Sequence, residues 1–100
     1  MNLLEENLPA LREACNQFQV KALYAFGSIL TQKFLSESDL DFAVVFDREG
    51  PAGAYEQYFG FKERLEEIFG REVDLVTYNS IQNPFFKEEV DRTKKALYVA

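Results

Sequence analysis

Phe26–Phe46 reads FGSILTQKFLSESDLDFAVVF, and this stretch decides the fold. A short apolar run, Val20–Phe26, stops at the pair Gly27-Ser28, as a buried strand would at a turn. Ser28 suits the N-cap of a short helix through Ile29, Leu30 and Phe34. Polar Ser36-Glu37-Ser38 then leads into a second strand, Asp39–Phe46, which opens on two aspartates one residue apart. Side chains two apart on a strand share a face, so Asp39 and Asp41 project together while Leu40 and Phe42 face the other way.

The flanking sequence continues the alternation. Leu4, Leu8, Leu11, Cys15 and Phe18 recur at helical spacing, predicting a helix over roughly residues 2–18, with Pro9 distorting it or marking its first turn. After the turn residues of 47–53, Tyr55, Tyr58, Phe59, Lys62, Leu65 and Phe69 give a second helical stripe, which Gly70 closes. This stripe reads as core, and Phe85-Phe86 in large part so. Glu72–Thr77 reads as a third strand, and Asn83-Pro84 starts a last helix. The tail ALYVA is either a short edge strand or that helix's last turn. Helices and strands in this order make an α/β fold, a sheet covered by helices. The 100 residues fit one domain over 1–100, without repeats or low-complexity segments.

Composition removes several classes of function. The net charge of −6 disfavours direct nucleic-acid binding, which needs cations against phosphates. The absence of His excludes imidazole catalysis and His-ligated zinc. Cys15 cannot form an intrachain disulfide and reads as core in a reducing compartment. The N-terminus is acidic and interrupted by Pro9, unlike a secretory signal, and no apolar run approaches a membrane span. A cytoplasmic protein is expected.

The remaining chemistry lies in acidic residues. Asp74 stands between Val73 and Leu75, inside a strand, where aspartate is disfavoured. Its bland explanation is a buried salt bridge to Arg71 or Lys21. Glu72 shares its face but reads as a surface partner of Arg71. If the second and third strands are neighbours, Asp39, Asp41 and Asp74 converge. Three clustered carboxylates repel one another unless a cation lies between them. All-oxygen ligation favours Mg²⁺ or Mn²⁺, ions that bridge to substrate phosphates. Two such ions can clamp the attacking and leaving oxygens of an in-line displacement. A Gly-Ser turn at a helix start meets an anionic phosphate with free N–H groups.

Gly27-Ser28, ten residues, then Asp39-x-Asp41 and a later Asp74 resemble the pattern of the minimal nucleotidyltransferases of the DNA polymerase β superfamily. That resemblance implies a mixed sheet covered by helices and transfer of a nucleoside monophosphate from an NTP to a hydroxyl. It implies two Mg²⁺ ions, with Mn²⁺ as a substitute, held by Asp39, Asp41 and Asp74, and β and γ phosphates bound by Gly27 and Ser28. It further implies ATP as the donor and a HEPN-type ribonuclease toxin as the partner whose tyrosine is adenylylated. Leu30-Thr31-Gln32 stands where many such antitoxins carry an Ala-Arg-Gly-type segment. The contrasting expectation is a non-catalytic module that neutralises a partner through exposed aromatics.

Overall fold

The computed structural model describes residues 3–27, 40–47 and 53–100. The leading helix comes in two pieces, α1 (Leu3–Glu6) and α2 (Leu8–Gln17). Pro9 lies in the first turn of α2, where its missing N–H costs nothing; deeper in one continuous helix it would break a backbone bond. Asn7 sits at the break, and its side-chain amide donates to Leu3 O at 2.9 Å. The strands are β1 (Val20–Phe26), β2 (Leu40–Phe46), β3 (Val73–Thr77) and β4 (Lys95–Val99). Helix α3 (Ala54–Phe69) joins β2 to β3, and a 3-10 turn at Tyr78–Ser80 leads to α4 (Pro84–Thr93). The ambiguous tail is therefore a strand. The helix expected after Ser28 falls outside the described residues, as does Asp39.

The sheet order is β3-β2-β1-β4. β1 runs antiparallel to both β2 and β4, whereas β2 and β3 are parallel, making the sheet mixed. Strand alternation sorts the side chains onto two faces. Leu23, Ala25, Phe42, Val44 and Leu75 meet α2 and α3 in the main core. Phe26, Ala43 and Val76 point the other way, where Phe86 and Val90 of α4 cover them.

The α3 stripe is shifted from the expected one. Phe61, Leu65 and Phe69, spaced by four, are buried, whereas Tyr55 (71% exposed) and Phe59 (49%) face outward. Phe61 packs against Phe18 and Phe46, and Phe42 stacks on Phe69 at 5.7 Å. Gly70 ends α3 in the left-handed region at φ 66°, donating its N–H to Glu66 O at 2.8 Å. Asn83 caps α4 by accepting from the N–H groups of Phe85 and Phe86.

β3 lies at one edge of the sheet, and α3 closes part of that edge. Glu66 accepts the Val73 N–H at 3.0 Å, and the Tyr58 hydroxyl donates to Leu75 O. The Val73 N–H and then the Lys62 ammonium hold the Glu66 carboxyl below its usual range. Such side-chain plugs blunt an edge that would otherwise template intermolecular pairing.

Cys15 is fully buried, and burial pushes its thiol up to about 12. Because the thiolate is the nucleophile, iodoacetamide at pH 8 is expected to label Cys15 slowly in the folded chain and rapidly after denaturation. Equal labelling rates in the two states would refute this core assignment.

Candidate active site

The first three strands place the candidate residues. β1 ends at Phe26, whose Cα partner on β2 is Asp41. Asp41 in turn pairs with Asp74 across the parallel β2–β3 ladder. Their neighbours Leu40, Phe42, Val73 and Leu75 are buried toward α2 and α3. Both aspartates therefore lie on the opposite sheet face, side by side on strands about 4.8 Å apart. Asp41 is half-buried and Asp74 exposed.

Gly27 completes this corner at φ 82°. A Cβ added there would collide with Asp41 Oδ2, and would lie 3.3 Å from Asp41 Cγ and 3.4 Å from its Cβ. The missing side chain of Gly27 is thus the space that the Asp41 carboxylate occupies. Both a left-handed φ and this close approach call for glycine.

Asp41, Asp74 and Gly27 are therefore brought together, while Ser28 and Asp39 lie outside the described residues. Among the described residues no group of three acidic, Cys or His side chains is assembled that could hold a metal. The carboxylate pair nevertheless fits a hard divalent cation: it offers only oxygen donors, and its like charges need a counter-ion or a proton.

The salt-bridge explanation for Asp74 fails. Asp74 is exposed, and among the described residues it enters no ion pair with Arg71 or Lys21. Its charge instead reaches Tyr58. The Tyr58 hydroxyl is raised first by burial, with Lys62 opposing and Asp74 adding to the rise. Glu72 precedes β3, is exposed, and forms no ion pair with Arg71 among the described residues; its carbonyl accepts the Leu40 N–H at 3.3 Å.

Beyond the corner, a charged cluster ties α4 to the end of β3. The Tyr78 hydroxyl donates to Asp91 and accepts from Lys87 Nζ at 3.1 Å, and Lys94 Nζ meets Asp91 at 2.9 Å. The Tyr78 hydroxyl and then Lys94 hold the Asp91 carboxyl below its ordinary value. Lys87 lies 4.4 Å from the Tyr78 ring centre, and Lys94 lies 5.6 Å from that of Tyr24. These two cations serve Asp91 and the rings.

An open groove of about 380 Å³ borders the β3 edge, lined by Tyr58, Val76, Thr77, Ser80, Ile81 and Phe86 among others. Sequence reasoning missed it by assigning the aromatics to the core. Its signal was Ile81, a lone apolar residue in the polar segment Tyr78–Asn83.

Comparison with known proteins agrees with this arrangement. The family model described as "Polymerase beta, Nucleotidyltransferase" matches residues 10–100. A Methanocaldococcus jannaschii protein named "Putative protein adenylyltransferase" is 37% identical over 76 residues, covering 76% of this chain and 75% of that protein. A solved structure described as a "putative minimal nucleotidyltransferase" superposes with a TM-score of 0.75 at 28% identity, covering 95% of each chain. A Shewanella oneidensis complex, described as a tri-AMPylated HEPN toxin with its MNT antitoxin, shares the fold. Its TM-score is 0.68 at 18% identity, covering 97% of this chain and 73% of that one. The match over nearly the whole chain, with the fold to go with it, makes this protein a member of the polymerase β nucleotidyltransferase family.

Proposed function

We propose that the chain transfers AMP from ATP to a hydroxyl of a partner protein, and that this partner is a HEPN ribonuclease toxin for which the chain is the antitoxin. The observation that carries the reading is the pairing of Asp41 with Asp74 beside Gly27. The adenylyltransferase name of the archaeal relative and the AMPylated toxin in the Shewanella complex support the donor and the partner.

Asp41 and Asp74, joined by Asp39, would hold two Mg²⁺ ions, with Mn²⁺ as a substitute. Such ions neutralise phosphate charge and lower the barrier to displacement at phosphorus. Gly27 and Ser28 receive the β and γ phosphates, with glycine allowing the backbone close approach. The acceptor oxygen attacks the α-phosphorus, and the bond to the bridging oxygen breaks to release pyrophosphate. The hydroxyl proton passes to Asp74. Positioning and charge neutralisation account for most of the acceleration. The cytoplasm, with its ATP and reduced thiols, suits both this donor and an unpaired Cys15.

A second reading is favoured by the exposure of Tyr55, Phe59 and Phe85: a binding module that neutralises its partner by contact alone. Incubation with ATP labelled in its α-phosphate, Mg²⁺ and the product of the adjacent gene separates the two. Transfer predicts label on the partner that EDTA abolishes. An unlabelled partner, still bound and neutralised by an Asp39→Ala/Asp41→Ala variant, would establish the binding module instead.

A further inference from the structure

We infer that the groove beside Asp74 seats the acceptor, and that it takes a neutral aromatic hydroxyl, the phenol of a tyrosine presented by the partner, rather than the nucleoside. This rests on the transfer reaction proposed above.

Reaction geometry assigns the side of approach. Displacement at phosphorus places the attacking and leaving oxygens roughly in line on opposite sides. The leaving pyrophosphate belongs at Gly27, at the end of β1. The sheet order β3-β2-β1 puts Asp41 in the middle, so the attacking oxygen arrives from the β3 side, past Asp74. The groove lies there. It begins at Val76, two residues beyond Asp74 on the same face, or roughly 7 Å along the strand. Tyr58, which feels the charge of Asp74, forms part of its wall. A tyrosyl side chain reaches across that distance, and a seryl side chain does not.

The lining selects against the other substrate groups. Val76, Ile81, Phe86 and Tyr58 supply apolar and aromatic surface, Thr77 and Ser80 supply hydroxyls, and among the described residues no charged side chain lines the groove. A phosphate would find no cation there, whereas a ring would find Phe86 and Tyr58 as neighbours. Charge outside the groove favours the flanks of the acceptor. Exposed Glu89 lies one helical turn from Phe86, in a chain of net charge −6, so the best acceptor segment carries Lys or Arg beside its tyrosine.

Amide NMR of the ¹⁵N-labelled chain tests this with three probes. N-acetyl-tyrosinamide is expected to shift the amides of Val76, Thr77, Ile81 and Phe86, whereas adenosine leaves them in place. MgATP is expected to shift Gly27 and Asp41. Phe86→Ala should weaken N-acetyl-tyrosinamide binding about 3–10-fold, the size of one aromatic contact. Because Phe86 also packs on Phe26 at 5.8 Å, Ser80→Trp serves as the second variant: it fills the groove and should abolish those shifts in a chain whose spectrum remains dispersed. Adenosine in the groove, no response to N-acetyl-tyrosinamide, or its retention by Ser80→Trp would each overturn the assignment. A chain indifferent to MgATP that still binds the tyrosine amide would instead overturn nucleotidyl transfer and leave a phenol-binding groove.

Discussion

Replacing Asp74 with asparagine is expected to lower transfer on the order of 10³-fold, the scale of losing one preorganised electrostatic stabiliser, while making the metal-free protein more stable. The two effects share one cause. Asp74 and Asp41 are direct partners across the β2–β3 ladder, and like charges so placed cost about 0.2–1 kcal/mol. Asparagine keeps the shape and removes the repulsion. In a domain of this size each kcal/mol moves the melting midpoint by about 4–8 °C, so the gain should be visible in EDTA. Added Mg²⁺ or Mn²⁺ should then raise the midpoint of the wild type, by mass action on the folded state, but not that of the variant. A metal-free Asp74→Asn protein that melts below wild type, or one that transfers at the wild-type rate, would show that the pair is structural.

Gly27→Ala is the second large expected effect, with Gly70→Ala as its control. Both glycines have left-handed backbones, at φ 82° and φ 66°. An added Cβ meets nothing within 4 Å at Gly70 but drives into Asp41 Oδ2 at Gly27. The control should therefore lose only the backbone term of about 1–2 kcal/mol and keep its activity. Gly27→Ala should melt lower still. By moving the Asp41 carboxylate it should also reduce transfer about 10²-fold, as misplacement by about 1 Å does. Urea midpoints and initial rates of label transfer measure the two losses. Equal behaviour of the two variants would mean that the contact at Gly27 is unimportant to the site.

The parts of this fold that were legible in the sequence are those written in local chemistry. The alternation around Asp41 gave its face, Gly70 gave the end of α3, and Asn83-Pro84 gave the start of α4. The break at Asn7 was half-legible, because Pro9 permits either a bent helix or a fresh first turn. The buried stripe of α3 was misplaced because Tyr55 and Phe59 are as apolar as Phe61; only the packing of Phe18 and Phe46 selects Phe61. The facing of Asp41 and Asp74 depends on a parallel ladder between segments joined through a helix, which no local pattern encodes. The tail took its place beside β1, across the sheet from β3, for a similarly non-local reason.

The stoppered margin of the sheet also limits how another polypeptide can arrive. Strand swapping and fibril-like growth need a row of vacant amides and carbonyls, and along β3 two of those rungs are taken by Glu66 and Tyr58. A visitor at that border is gripped by its side chains, not zipped in along its backbone. Such a hold is easier to let go, as repeated cycles of modification require.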